Sequence, residues 1–358
     1  MSHPAQVRNL FLAIFTLSGM ASHAMSQGPL GAPIVPATPP KDMPVEMPTA
    51  PFYADDARSG AFCFSDLGKS STGFLIGNQN FPNFIGFISN PVQSIDPRSS
   101  TEIVAMFGNG WISADHSILP SGTLQVYGGG PMAIALTDRL CFGFNDGGYA
   151  VAHFSRDRAN LLQRLGLPVP DRDVGGQREG WLNLGGYVQY TLIADVANQF
   201  ILTAGLRWEA PIGTTQIFQG GANPAYLAPY LTAGKEFGCY HVLATTGYEF
   251  PAGSGESTTK TLYLNVHLDR KIGWLYPLIE LNGSYHTSTT NISFDTPHHG
   301  VLDLGTFTSS GNTLTAAIGA NAILVPGKLE LGAVYARPIA AQGHFDFNGL
   351  LVKMTYRY

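Results

Sequence analysis

The chain has 358 residues, of which only 13% are charged, with 42 Gly, 21 Phe and 15 Tyr, a net charge of −5 and a mean hydropathy of +0.06. The mild charge and the lack of any basic block argue against a nucleic-acid partner. Near-zero hydropathy, with no apolar run of the ~18 residues a membrane helix needs, argues against a helical membrane protein.

The N-terminus has the layout of an export signal over residues 1–24. Arg8 supplies a basic start, Leu10 to Met20 an apolar core and Ser22-His23-Ala24 a small-residue cleavage site. Residues 25–51 carry eight prolines among small and polar residues, which reads as an extended linker. Residues 52–100 form an N-terminal extension rich in Gly, Phe, Asn and Ser, as in Asn80-Phe81-Pro82-Asn83-Phe84-Ile85-Gly86-Phe87, with no helix or strand period. Gly68-Lys69-Ser70 resembles part of a phosphate loop, but Cys63 stands where the first glycine should be, so it is set aside.

From residue 101 to 358 the pattern changes to segments of strict alternation separated by breakers, about twelve in all. In one, Phe200, Leu202, Ala204, Leu206, Trp208 and Ala210 share a face, and Ile201, Thr203, Gly205, Arg207 and Glu209 share the other. Leu262, Leu264, Val266 and Leu268 alternate with Thr261, Tyr263, Asn265 and His267. The final strand sets Leu350, Val352, Met354, Tyr356 and Tyr358 against Leu351, Lys353, Thr355 and Arg357. Side chains alternate faces along a strand, so each segment is a ribbon with one apolar and one polar side.

Alternation also suits a soluble sandwich; the connections discriminate better. Short ones at Thr137-Asp138-Arg139, Ala194 to Asn198, Lys235 to Gly238, Asp269 to Lys271 and Pro326-Gly327 alternate with long ones such as Gly108 to Ser121, Ser155 to Glu179, Ser288 to Ser310 and Pro338 to Asp346. That rhythm predicts an all-β fold, an up-and-down antiparallel transmembrane β-barrel of about 12 strands in the cell outer membrane. Aromatic pairs eight residues apart on the apolar face, Phe200 with Trp208 and Tyr240 with Tyr248, suit the two interfacial girdles.

The stretches Pro97-Arg98-Ser99-Ser100-Thr101-Glu102, Leu136-Thr137-Asp138-Arg139-Leu140 and Tyr276-Pro277-Leu278-Ile279-Glu280-Leu281-Asn282-Gly283 resemble recurring segments of a family of outer-membrane transporters. That family is related to the barrels associated with the meta-pathway of phenol degradation. The resemblance spans Pro97 to Tyr358 and implies a porin-like or uptake role, with no substrate and no catalytic residue.

With the apolar face toward lipid, the lumen-lining candidates are Arg207, Glu209, His241, Glu249, Glu280, Asn282, His286, Lys353 and Arg357, together with Ser284. An ionised Arg or Lys on the lipid face at mid-membrane would cost ~2–4 kcal/mol. The expected function is a channel or transporter that passes small solutes through a polar lumen; the alternative is a structural or surface-anchoring barrel with a blocked lumen. Expected partners are outer-membrane lipid and small solutes. No catalysis, metal or cofactor is expected: Ser284 and His286 on one strand face stand ~6.5–7 Å apart, beyond hydrogen-bond reach. Adjacent His298 and His299 point apart.

The extension and the cysteines leave two readings open. In one, the extension tucks into the inner mouth as a partial plug, with Cys63 near Cys141 or Cys239. In the other it is a loose tail and the three cysteines are unpaired.

Overall fold

The protein is described here by a computed structural model covering residues 72–112, 121–154, 176–214, 217, 224–253, 260–288, 312–341 and 347–358. The export signal, the proline-rich linker, Cys63, the His298–His299 pair and most of the Ser155–Glu179 connection lie outside the described residues.

Two short strands, β1 (Thr72–Gly73) and β2 (Gly77–Asn78), pair only with each other. An irregular stretch then leads into β3 (Glu102–Ile112) and β4 (Gly122–Ala135). Next come β5 (Leu140–Asp146), β6 (Tyr149–Phe154), β7 (Gly176–Trp181) and β8 (Leu184–Asp195). Four long strands follow: β9 (Phe200–Ala210), β10 (Ala225–Phe237), β11 (Tyr240–Ala252) and β12 (Lys260–Arg270). The chain ends with β13 (Leu275–Ser288), β14 (Thr313–Val325), β15 (Leu329–Ala341) and β16 (Phe347–Arg357).

All pairings are antiparallel, and β16 closes onto β3 from Phe347↔Ile112 to Arg357↔Glu102. The strand count resolves to twelve because two pairs of short strands each act as one. The turn-end half of β4 pairs with β5 and its other half with β6, while β5 pairs with β8 and β6 with β7. Gly147 and Gly148 join β5 to β6 with φ of 143° and 141°. At Gly148 a Cβ would sit 2.5 Å from the Tyr127 carbonyl oxygen, so the kink that keeps both halves in register requires glycine. The result is a closed 12-strand antiparallel barrel.

The alternation has the physical cause expected of it. On β9, Ile201, Thr203, Arg207 and Glu209 are buried, while Leu206 between them is exposed. On β16, Leu350, Met354 and Tyr356 are exposed and Lys353 and Thr355 buried. A barrel that exposes Leu, Ile and aromatic side chains all round and buries Arg, Glu, His and Lys is inside-out relative to a soluble core, and lipid is the solvent that stabilises it. Trp111, Tyr127, Trp181 and Tyr285 lie outward near the loop end; Tyr190, Phe237, Tyr240 and Tyr356 lie outward near the turn end. These are the two girdles. In outer-membrane barrels the tight turns face the periplasm.

Several strands run further into the loops than the alternation suggests. β3 reaches Ile112, β15 reaches Ala341, and Gly176–Trp181 is strand rather than connection. The ends of β3 and β7 carry Gly, Asn, Gln and Arg beside their girdle tryptophans because they reach the edge of the apolar layer, where pairing continues but lipid no longer demands an apolar face at every second residue. Cys239 lies in the β10–β11 turn rather than in a strand. It is disulfide-bonded, whereas Cys141 is a buried free thiol. Cys63 is the remaining cysteine of the chain. Non-reducing peptide mapping is therefore expected to find Cys239 in a disulfide and Cys141 as a free thiol; a free Cys239 would refute this.

Three inward tyrosines lie flat across a glycine of the next strand, and at Gly143 a Cβ would come within 2.5 Å of the Tyr187 ring. A Cβ at Gly205 would come within 2.3 Å of the Tyr230 ring, and one at Gly247 within 2.3 Å of the Tyr263 hydroxyl and 2.9 Å of the Pro229 carbonyl oxygen. Gly247→Val should force Tyr263 off the wall and lower stability by about 1–3 kcal/mol, the usual cost of overpacking. Urea unfolding followed by gel mobility reads this directly; an unshifted midpoint would mean Tyr263 is free to move.

Candidate functional site: the occupied lumen

Residues 79–100 run inside the barrel, toward its turn end. Phe81, Phe84, Ile85, Phe87 and Ile88 are almost completely buried. Phe81, Phe84 and Phe87 pack with Ile201 and Leu243 of the wall, and Ile85 and Ile88 with Tyr276, Leu278, Ala317 and Val334. Phe84 and Phe87 also meet the rings of His241 and His267 edge-on, at 6.0 and 5.5 Å. A segment this apolar cannot hydrate its own backbone once enclosed, so each buried N–H and C=O needs a partner. The wall supplies them.

Along β8 to β10 the partners are uncharged. Gln189 Nε2 donates to the carbonyls of Asp96 and Arg98 at 2.9 and 3.0 Å. Thr203 donates to Pro97 O at 2.6 Å and Thr232 to Ile95 O at 2.8 Å. Asn145 on β5 donates to Val92 O. At two places the partner is charged. Lys353 Nζ donates to Gly86 O at 3.0 Å and Phe87 O at 2.6 Å. Glu280 accepts from the Ile88 and Ser89 backbone N–H at 2.8 and 2.6 Å and from the Ser89 hydroxyl. The wall thus reads the backbone of this segment more than its side chains.

Glu280 is also the end of a buried chain of titratable groups. His241 Nδ1 is 2.5 Å from Asp269 Oδ1; His267 Nε2 is 3.0 Å from Asp269 Oδ2 and its Nδ1 is 2.8 Å from Glu280 Oε1. Both ring nitrogens of His267 face carboxylates, an arrangement a doubly protonated imidazole satisfies. Within the segment, Arg98 pairs with Asp96 at 2.6 Å. Burial raises the Asp96 carboxyl, but the charge and hydrogen bonds of Arg98, with the charge of Arg357, bring it down to about 2. Arg357 in turn pairs with Glu102 at 3.0 Å and with Glu330.

Each lumen-lining candidate lies on the inner face, but the structure divides them into groups. Glu280, Asn282 and Lys353 touch the inner segment directly, Asn282 Nδ2 donating to Ser89 Oγ at 2.7 Å. His241 and Arg357 belong to the turn-end networks just described. Arg207 and its carboxylates sit nearer the loop end: Arg207 pairs with Glu249 and lies 3.6 Å from Glu209, and Asn183 donates to Glu209 at 2.8 Å. His286 bonds to Thr261 Oγ1 at 2.9 Å and is half-buried; Ser284 is buried on the same face. The sequence reading left out Asn145, Gln189, Thr203, Thr232 and Asp269 as site residues. Each follows from extending the inward face of its own strand, Asn145 from Cys141 and Gly143 on β5; what alternation cannot supply is the ligand, a stretch of the chain's own backbone.

No family model and no curated protein matches the chain. Among solved structures, an outer membrane channel from Pseudomonas putida F1 matches with a TM-score of 0.52 at 13% identity, over 75% of this chain and 98% of that one. The translocator domain of autotransporter NalP from Neisseria meningitidis matches at 0.41 and 9% identity, over 73% and 89%. OmpT of Vibrio cholerae matches at 0.31 and 7% identity, over 75% and 100%. The first likeness is one of fold: this chain is an outer-membrane β-barrel.

Proposed function

We propose that the protein is an outer-membrane channel for small solutes, held closed by residues 79–100 of its own chain acting as a plug. The observation that supports this most directly is what fills the lumen. Twelve strands about 4.8 Å apart and tilted about 40° enclose a backbone cylinder roughly 24 Å across, wider than wall side chains alone can fill. The filling comes instead from a separate segment, attached by hydrogen bonds that water could replace. A purely structural barrel has no need of a removable core.

The resemblance to outer-membrane transporters and the fold of the Pseudomonas channel are consistent with this reading, and neither supplies a substrate. Reconstitution of the full chain into a planar bilayer tests it: discrete, infrequent conductance steps are expected, and a folded barrel that is silent under every condition would favour the anchoring role. Among the described residues, Arg207 with Glu209 and Glu249 makes a net negative cluster near the loop end. Glu249→Gln should leave that cluster neutral and shift the reversal potential away from cation preference; an unchanged potential in a conducting variant would remove this cluster from the path.

A further inference from the structure

The plug is gripped by two charged side chains, and one of them is the end of a buried chain of titratable groups. Lys353 Nζ donates straight to the carbonyls of Gly86 and Phe87. Glu280 accepts from the N–H groups of Ile88 and Ser89 and from the Ser89 hydroxyl, and the same carboxylate meets His267 Nδ1 at 2.8 Å. What holds Glu280 in place therefore also holds the plug.

His267 lies between two carboxylates. Its Nε2 is 3.0 Å from Asp269 Oδ2, so each ring nitrogen has an acidic oxygen within hydrogen-bond distance. Asp269 in turn is 2.5 Å from His241 Nδ1 on β11, and His241 Nε2 is 3.9 Å from Glu236 on β10. His241, His267 and Glu280 are 0% exposed and Asp269 2%. Around this chain, the Tyr276 ring of β13 lies 5.8 Å from that of His241. Lys271, in the β12–β13 turn, donates to Asn83, which itself donates to Glu236. The plug meets the two imidazoles with the Phe84 and Phe87 rings, edge-on, and its residues 80–91 include no ionisable side chain.

A neutral imidazole carries one N–H, so without its second proton His267 would turn a lone pair toward Asp269 or Glu280. The two carboxylates would also lose the cation between them in a site that bulk water does not reach, which is strongly destabilising. Unseating the plug relieves both, since water then reaches Glu280 and Asp269. The seated state therefore holds up to one proton more than the released state, and by linkage its share falls as pH rises. We infer that the plug is a proton-linked gate, seated while His267 is an imidazolium and released when the lumen turns alkaline. This rests on the channel reading and adds regulation to it.

The test reads plug release separately from conduction. Full-length protein in detergent is treated with subtilisin on both sides of the expected change, each rate being normalised to that of the heat-denatured chain. Cutting within residues 79–100 should be at least about tenfold faster at about pH 10 than at about pH 7. Working above neutrality keeps protonation of the carboxylates out of the comparison. His267→Gln, checked for folding by gel mobility, should be cut at one normalised rate throughout. Asp269→Asn keeps the imidazole but removes the charge facing Nε2, and should also flatten the rise. A native chain cut equally at both pH values would overturn the gate. So would an equal rise in either folded variant, which would assign the effect to other groups such as Lys353 or the inner tyrosines. Planar-bilayer recording over the same range should show openings increasing in step. Plug release without any opening would leave the proton linkage standing and count against the channel reading itself.

Discussion

Deletion of residues 79–100 should raise single-channel conductance by about tenfold or more, since it removes the only described segment that fills the interior of a cylinder roughly 24 Å wide. The expected result follows from how the segment is held. Phe81, Phe84, Ile85, Phe87 and Ile88 contribute apolar burial, so their loss lowers stability, but the ladder pairings from β3 round to β16 involve none of them. The wall groups released, including Gln189, Thr203, Thr232, Glu280 and Lys353, are ones that water can solvate once the lumen floods. The deleted barrel should therefore still migrate as a folded species on unheated gels. A folded deletion variant with the conductance of the parent would mean that the passage, if any, does not run where the segment lies.

Glu280→Ala should unseat the plug without removing it. The substitution leaves the Ile88 and Ser89 N–H groups, the Ser89 hydroxyl and one nitrogen of His267 without their acceptor. Truncating one partner of a buried charged network typically costs about 3–5 kcal/mol. That is enough to change the fraction of time the plug is seated by two orders of magnitude or more. Frequent openings are expected, with protease cutting within residues 79–100 that the parent resists. Glu280→Gln, which keeps one acceptor oxygen, should fall between the two. Lys353→Met removes the bonds to Gly86 O and Phe87 O and should act in the same direction as Glu280→Ala, and the two changes should not be additive if the plug leaves as a unit. Closed, protease-resistant Glu280→Ala protein would show that the apolar contacts alone hold the segment.

The barrel was legible in the sequence because lipid imposes a period of two on every strand, and a period is visible without knowing its neighbours. Leu262 to Leu268 could be assigned outward and Asn265 and His267 inward from spacing alone. Strand ends were less legible, since Gly176–Trp181 pairs as strand at the edge of the apolar layer, where the period is no longer enforced at every residue. The kink at Gly147–Gly148 was invisible for a different reason: it is set by the approach of Tyr127 from another strand. The inner segment was the hardest. Asn80 to Phe87 shows aromatic content but no periodicity, because its conformation is dictated by where Lys353, Glu280 and Gln189 happen to present donors and acceptors. A backbone held by side chains of six different strands leaves no repeating mark on its own sequence.

If the inner segment is a plug, passage requires it to move. Ser89 and Asn282 are joined by a 2.7 Å hydrogen bond between side chains, so Ser89→Cys with Asn282→Cys, in the Cys141→Ser background, offers a reversible lock at the point of contact. Single-channel recording under oxidising and then reducing conditions is the measurement, with the Cys141→Ser parent carried through the same reagents to account for the disulfide at Cys239. The oxidised double variant should be silent, and reduction should restore openings. Openings of the same size and frequency in the cross-linked protein would contradict a movable plug.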